Sequence, residues 1–401
     1  MKNIKWAIYL TLFALPSYQI RFEVLHLPMS LLEGMILILA VVWVLKKGYR
    51  ELYFLKDFKG LVVLIGIFLV VATISIFVGP DRQAAAGIWK AYFIEPVIFF
   101  LIFVSTIKKK DLDSIFKVFF WQVLVLGVVG LYQKISGDLI PNPFWAAEET
   151  RRIVSVFAYP NALALYITPL VLIFMGIWAL RAKENIKGIL NREDCLLIIG
   201  LGLAAILFSG SKGAMIAILA GLVFYVIFFK NYRKYVLILL IALAVFGFIA
   251  THGKINLKGT STVEGGDSIS TRLDMWSETA SMLKERPILG AGLSGYPRAV
   301  EPYHEKSYIE IYLYPHNIFL NFWTEIGVAG MLSFFGIVSY FYFYSFRLKG
   351  NERYLLMAAM TGLFIHGLVD VPYFKNDLSI IFFVIIGMMI VLNKDKAMEI
   401  E

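Results

Sequence analysis

Apolar runs long enough to cross a membrane recur along the whole chain, and a soluble domain has no core large enough to bury so many of them. Runs able to span about 30 Å of hydrocarbon number about twelve. They lie near residues 6–21, 28–45, 61–79, 87–107, 114–132, 157–180, 195–209, 213–229, 235–250, 317–346, 354–371 and 378–392. With 59% hydrophobic and 17% charged residues, the composition is far from that of a soluble protein. The expected fold is therefore all-α: a polytopic membrane protein forming a single membrane domain over residues 1–401. Pro16 interrupts the first run, and a signal peptide is the competing reading there. No small-residue cleavage site follows, so a retained helix is expected.

A net charge of +9 would suit nucleic-acid binding if it were clustered, but its distribution argues for orientation in a membrane instead. Twelve spans with both termini cytoplasmic put Lys46, Lys47, Arg50, Lys56 and Lys59 in one inner loop and Lys108, Lys109 and Lys110 in the next. Arg181, Lys183, Lys187 and Arg192 follow, then Lys230, Arg233 and Lys234, then Arg347, Lys349 and Arg353. The opposite loops are poorer, holding Arg21, Arg82, Lys134 with Arg151 and Arg152, Lys212, and Lys375. Nucleic acid is excluded as a partner on this distribution, and the few outward cations become candidates for chemistry.

The single Cys195 excludes an intrachain disulfide and reads as a small core residue. One outer segment, 251–315, is much longer than the other loops, and loops of that length are usually functional. It opens with a Gly/Ser/Thr-rich stretch, 259–267. Ile269, Leu273, Trp276, Ala280 and Leu283 then mark one face of an amphipathic helix lying on the outer membrane surface or over a cavity. Thr271 with Asp274 offers a capping box, and Pro287 ends the pattern. Gly290, Gly292 and Gly295 predict a tight bend before Tyr296 and Pro297. Beyond it, an unbroken helix over 317–346 would run roughly 45 Å and must tilt or protrude. Glu325 lies about 12 Å along it, too deep to reach the interface easily, and Gly327 and Gly330 permit close contact with another helix.

His316 sits where the long polar segment meets that helix. Pro315 disfavours helix at Tyr314, so His316 and Asn317 are expected in the first helical turn. The positive helix end disfavours an imidazolium and favours a neutral ring able to accept a proton. Four outward features then converge. They are Arg152-x-x-Ser155-x-Phe157-x-x-Pro160-Asn161-x-x-Ala164; Ser209-Gly210-Ser211-Lys212-Gly213-Ala214; Arg272-x-x-x-Trp276 with the 287–292 segment behind it; and His316-Asn317 followed by Glu325-x-Gly327-x-x-Gly330.

In this ordered combination the chain resembles the O-antigen ligase and O-antigen polymerase family over roughly residues 150–370. These are integral-membrane glycosyltransferases that use polyprenyl-diphosphate-linked glycans. The resemblance implies a metal-independent, cofactor-free transfer at the outer face of the bacterial cytoplasmic membrane, from undecaprenyl diphosphate to an acceptor hydroxyl. It also implies that His316 is the base and that Arg152, Lys212 and Arg272 face the diphosphate. Asn161, Asn317, Trp276 and Glu325 are carried along as substrate-binding candidates. Members usually have Arg where this chain has Lys212, and Lys keeps the charge while losing the bidentate fork. They often have Gly at the position of Ser155.

Elementary chemistry agrees with these roles. A diphosphate leaving group gains negative charge as the C1–O bond breaks, so fixed cations stabilise the transition state over the ground state. An acceptor hydroxyl needs a base within hydrogen-bond reach, and direct displacement inverts the anomeric centre. The acceptor is left open: a lipid core, a growing glycan repeat or a protein Ser or Thr would all suit, with ligation to a lipid core preferred. A polytopic transporter or lipid-glycan flippase is the alternative from another class, and it predicts repeated halves with paired broken helices. Other polar residues read more plainly. Arg298 has no motif behind it, Arg151 and Arg152 have Glu148 and Glu149 as possible partners, and Glu33 and Glu95 look like helix-interior contacts. His366 and Asp370, one turn apart at the outer end of the eleventh span, could support the site, with a satisfied packing pair the preferred reading.

Overall fold

The computed structural model describes residues 2–24, 27–183, 190–228, 230, 233–234, 236–238, 241, 268–304 and 310–397. The expected ninth span, apart from 236–238 and 241, lies outside these residues, as do the 259–267 stretch and Lys187. The chain begins with α1 (Lys2–Phe13), a hairpin of β1 (Arg21–Val24) and β2 (Leu27–Ser30), and α2 (Leu31–Leu45). Next come α3 (Lys59–Val78), α4 (Arg82–Trp89), α5 (Glu95–Thr106) and α6 (Leu112–Ser136). Then follow α7 (Pro160–Lys183), α8 (Arg192–Ser209), α9 (Lys212–Phe228) and α10 (Ser268–Glu285). The last elements are α11 (Ile318–Arg347), α12 (Glu352–Gly367) and α13 (Asn376–Ala397).

Among the described residues, six helical stretches are long and apolar enough to cross a membrane by length and composition: Gly48–Val78, Arg82–Thr106, Lys109–Ser136, Pro160–Arg181, Ile318–Arg347 and Asn376–Lys394. Leu31–Leu45 and Lys212–Phe228 are apolar but shorter. The first expected span is shorter than its sequence suggests. Helix α1 stops at Phe13, and a 3-10 turn over Leu15–Gln19, with Pro16 in its first turn, leads into the hairpin. The hairpin is antiparallel, with Arg21 opposite Ser30 and Phe22 opposite Met29, and it is the strand element that an all-α expectation omitted.

The bundle has an inside and an outside. Helices α7 and α13 are enclosed along nearly their whole apolar length, as expected of helices that are hydrophobic all round. Around them, α2, α3, α6 and α9 turn outward a row of large apolar residues, including Ile38, Val63, Val70, Val128 and Val223. Such a belt is what lipid covers. Helix α7 packs against α8 and α12, α12 against α9, α13 against α5, and α3 against α11.

The connections gather at one end of this bundle. Gln19 Nε2 donates to the Val156 carbonyl (2.6 Å), and Leu293 N–H donates to the Ser75 carbonyl (3.2 Å). The expected Glu33 contact falls at a helix start instead of a helix interior. Ser30 Oγ accepts from Glu33 N–H (3.2 Å), Glu33 Oε2 accepts from Ser30 N–H (2.8 Å), and the pair forms a capping box on α2.

Helix α11 is not the unbroken rod its length predicts. Ile326 and Gly327 leave helical geometry, Gly327 with φ +68° and ψ 179°, a region that effectively admits only glycine. In a continuous helix Val328 N–H would bond to the Thr324 carbonyl. Here Val328 N–H donates to the Ile288 carbonyl (3.0 Å) and the Thr324 carbonyl accepts from Ala291 N–H (2.7 Å). Residues 288–291 are thus spliced into the break and satisfy both groups. The approach leaves no room for side chains: a Cβ on Gly327 would stand 2.3 Å from the Ile288 carbonyl oxygen, and one on Gly290 would stand 2.3 Å from that of Trp323. Trp323 Nε1 donates to the Pro287 carbonyl (2.7 Å) and clamps the same segment. The glycine bend expected at 290–295 is present, but Gly327 serves this loop and not a neighbouring helix.

Candidate functional site

The His316 backbone carries φ +47°, in the left-handed region, and lies outside α11 instead of in its first turn. Asn317 is the N-cap: its Oδ1 accepts from Phe319 N–H (3.0 Å) and Leu320 N–H (3.1 Å), and its Nδ2 donates to the Leu368 carbonyl (3.1 Å). A side-chain cap of this kind is worth about 1 kcal/mol to a helix, and it leaves His316 on the preceding strained link. That link turns the half-buried ring toward the turn that follows α12. Tyr312 packs edge-on to it, with ring centroids 5.4 Å apart. Trp276 on α10 donates from Nε1 to the Pro315 carbonyl (2.9 Å), fixing the residue before His316.

The ring meets Asp370. His316 Nδ1 and Asp370 Oδ1 are 3.2 Å apart, and Asp370 is buried. Asp370 Oδ1 also accepts from Val371 N–H (2.9 Å), and Oδ2 accepts from Asn161 Nδ2 (3.3 Å). Burial would raise this carboxyl. The His316 hydrogen bond, the charges of His316 and His366, and the Val371 N–H outweigh it and hold the group below the ordinary carboxylate range. An ionised carboxylate only accepts, so His316 Nδ1 carries the hydrogen, and Nε2 is the nitrogen that can accept a proton in the neutral ring. His366 and Asp370 are not the satisfied packing pair expected from their spacing: His366 Nδ1 is buried without a hydrogen-bond partner, while Asp370 serves His316 and Asn161.

Asn161 joins this pair to the cations. Its Oδ1 accepts from Arg152 Nη2 (3.2 Å), while Arg152 Nε donates to the Ser209 carbonyl (2.7 Å). Arg272 on α10 donates from Nε to the Val369 carbonyl (2.9 Å), one residue before Asp370. Burial, and then the like charge of Arg272, lower the Arg152 pKa, so the two guanidinium groups stand near enough to repel one another. A bound anion relieves such a pair. Lys212 begins α9 and is exposed; a Cβ on the next residue, Gly213, would stand 2.9 Å from the His366 ring and 2.8 Å from Val369. The short turn bearing Lys212 therefore rests on the turn that bears Asp370.

Ser155, where the family often has Gly, has φ +52°. Its N–H donates to Gln133 Oε1 (2.7 Å), its carbonyl accepts from Gln133 Nε2 (2.8 Å), and its Oγ donates to the Leu126 carbonyl (2.9 Å). This clamp compensates the left-handed backbone that glycine would adopt freely. Arg151 is drawn to carbonyls and not to Glu148 or Glu149 in its recorded bonds. It donates to the Ala146, Lys134 and Ile135 carbonyls (3.1, 3.1 and 3.2 Å), closing the end of α6.

Of the sequence candidates, the structure brings together His316, Asn317, Arg152, Asn161, Arg272, Lys212 and Trp276. Glu325 stands apart: it is fully buried beside the break in α11, with Oε2 accepting from Ser294 N–H (2.9 Å) and Oε1 unpartnered. Arg298 is exposed in the last turn of the short helix Tyr296–Val300. On α10, Leu273 and Ala280 face outward, while Met275, Thr279 and Met282 are buried and Thr279 bonds Tyr296 (3.0 Å). The helix starts at or before Ser268, so Thr271 is not its cap. Lys375 was counted among the few outward cations but given no role from sequence. Its Nζ lies 3.8 Å from the centroid of the Tyr159 ring, and burial pulls its pKa down to about 8 against the opposing charges of Asp377 and Asp370. Among the described residues, no three His, Cys, Asp or Glu side chains are grouped as metal ligands.

Fold and site together define a helical membrane protein with a cation-rich polar site, centred on a His–Asp pair, at one end of its bundle. Residues 197–335 match the family model described as O-antigen ligase, so the resemblance carried by the motifs is shown over that stretch, roughly a third of the chain. The match includes Lys212, Arg272, Trp276, His316, Asn317 and Glu325; Arg152, Asn161, Asp370 and Lys375 lie outside it. No curated protein matches the chain. The family is one of ligase-like or polymerase-like glycan transfer.

Proposed function

We propose that the protein transfers a glycan from undecaprenyl diphosphate to an acceptor hydroxyl at the outer face of the bacterial cytoplasmic membrane, with ligation to a lipid core as the preferred reaction. The observation that carries this reading is the His316–Asp370 contact, linked through Asn161 to Arg152. In the proposed reaction the acceptor oxygen attacks the sugar C1, its proton passes to His316 Nε2, and the C1–O bond to the diphosphate breaks. Asp370 orients the ring and stabilises the imidazolium as it forms, a role that carboxylates play in other base-orienting pairs. Arg152, Arg272 and Lys212 take the charge that builds on the leaving diphosphate, so the step needs no metal ion. Displacement in one step inverts the anomeric centre.

Polymerisation of repeat units and transfer to protein Ser or Thr share this chemistry and differ in the acceptor. A transporter would use paired broken helices around a mid-plane site. The break in α11 is filled by residues 288–291 of the same chain, which favours the enzyme. Reconstitution with a lipid-diphosphate glycan and separate lipid-core, glycan and protein acceptors tests the reading. Transfer to one acceptor class supports it; lipid-glycan movement across the bilayer without transfer rejects it.

A further inference from the structure

A cavity with a mixed polar and apolar lining is used by none of the steps above. It has a volume of about 230 Å³, opens to the outside, and is bounded by the β1–β2 hairpin, the start of α2, the end of α4 and the first residue of α13. Its polar wall comprises Tyr18, Arg21, Glu33, Lys90, Tyr92 and Asn376, all outside the stretch that matches the family model. Ala84 and Gly87 leave one wall without bulk, and a Cβ on Gly87 would meet nothing within 4 Å.

The polar groups are held in place. Lys90 Nζ stands 3.3 Å from Glu33 Oε2 and 3.4 Å from the Pro28 carbonyl, and the Glu33 carboxylate is pinned by the capping box on α2. Tyr92 is linked to the other site through Phe374, whose ring packs on that of Tyr92 (centroids 6.2 Å apart) and on that of Tyr314 (5.6 Å), two residues before His316. Tyr373 OH donates to the Tyr92 carbonyl (2.7 Å), and Asn376 lies six positions after Asp370. The cavity wall is therefore tied, through Tyr92 and Asn376, to the two chain segments that carry the His–Asp pair.

We propose that this cavity binds a sugar ring of the acceptor, a hydroxyl-bearing saccharide whose attacking oxygen is presented toward His316; the acceptor role rests on the glycan-transfer reading above. Sugars offer C–H faces that pack on tyrosine rings and hydroxyl pairs that match a guanidinium fork, an amide and a fixed Lys–Glu pair. The charge count separates this ligand from the donor's diphosphate. Lys90 is already matched by Glu33, which leaves Arg21 as the one cation of the wall without a matching carboxylate there. Arg152, through Asn161, and Arg272, through the Val369 carbonyl, are instead both tied to the turn that bears Asp370. A dianion is better held by the pair, and a neutral polyol is better held by the matched wall.

The test uses the full chain in lipid nanodiscs with two readouts. Binding of methyl glycosides of a hexose, an N-acetylhexosamine and a heptose is followed by saturation-transfer NMR, and transfer is followed with a lipid-diphosphate glycan while the acceptor is titrated. Gly87→Trp fills the cavity from a position with open space around it, and Arg21→Ala removes the fork. At least one glycoside should bind the wild type, and both variants should weaken it by about tenfold or more. The acceptor KM should rise accordingly, with the donor KM unchanged. Unaltered glycoside binding in both variants, no glycoside binding by the wild type, or loss of lipid-diphosphate binding in Gly87→Trp overturns the proposal. Absence of any transfer by the wild type rejects the glycan-transfer reading alone, and the NMR comparison still decides whether the cavity is a saccharide site.

Discussion

His316 Nδ1 and Asp370 Oδ1 stand 3.2 Å apart across 54 positions of sequence, joining the residue before the α11 cap to the turn after α12. The contact decides which ring nitrogen is available. With Nδ1 committed to a buried acceptor, only Nε2 can receive a proton from an acceptor hydroxyl.

Asp370→Asn keeps the shape and removes the obligate acceptor, so Nδ1 is no longer compelled to carry the hydrogen. Turnover of the lipid-linked donor should fall by about 10²–10⁴, the scale seen when a base loses its orienting carboxylate. Donor affinity should hardly change. A loss in donor binding as large as the loss in kcat would contradict the positioning role.

Arg152→Ala and Arg272→Ala each remove one member of the guanidinium pair. Both should weaken binding of lipid-linked donor more than of acceptor, by about 1.5–3 kcal/mol for a charged hydrogen bond. Equal donor affinity in equilibrium binding rejects the assignment. Lys in place of Arg152 should recover charge but little affinity, because the bidentate fork and the contacts to Ser209 and Asn161 are lost.

Gly327→Ala and Gly290→Ala test the splice between 288–291 and α11. Each has positive φ and a carbonyl oxygen 2.3 Å from the added Cβ, so each should destabilise by about 1–3 kcal/mol or more. The measurement is the thermal midpoint of the purified protein. Wild-type midpoints in both would show that the break does not need glycine.

Lys375 gives a pH signature. Its pKa is about 8 in the folded chain, against roughly 10.4 for an unfolded lysine. Between these values the unfolded state binds more protons, so this group makes stability rise with pH across that window. Below about 8 both states are charged and the burial penalty is fully present. The wild type minus Lys375→Met difference in thermal midpoint should therefore change in favour of the wild type from pH 8 to 10. A flat difference contradicts a buried, charge-penalised Lys375.

Periodicity located some helices closely: an expected span over 317–346 is α11 at Ile318–Arg347, and one over 378–392 falls inside α13, while six of the described helical stretches, against about twelve expected spans, are long and apolar enough to cross a membrane. The grouping of Arg152, Lys212 and Arg272 with His316 was also legible, because few basic residues fall outside the expected inner loops. The break in α11 was not, since one glycine inside an apolar helix looks like any packing glycine, and the loop that fills the gap comes from well before it in sequence, bonding Ile288 to Val328 and Ala291 to Thr324. The direction of Leu273 and Ala280 was left open for a related reason: an apolar stripe beside a membrane has two places to go, lipid or protein, and spacing does not choose between them. Asp370 was misassigned because i, i+4 spacing pointed to His366, whereas its partners arrive from α7 and from the start of α11.

The central claim is tested most directly by single-turnover transfer from a defined undecaprenyl-diphosphate glycan, comparing wild type with His316→Ala in the same nanodiscs at equal folded fraction. Transfer by the wild type and a loss of about 10² or more in the variant, the scale of a general base, with donor binding retained, is the predicted result. Turnover by His316→Ala at the wild-type rate would contradict the account.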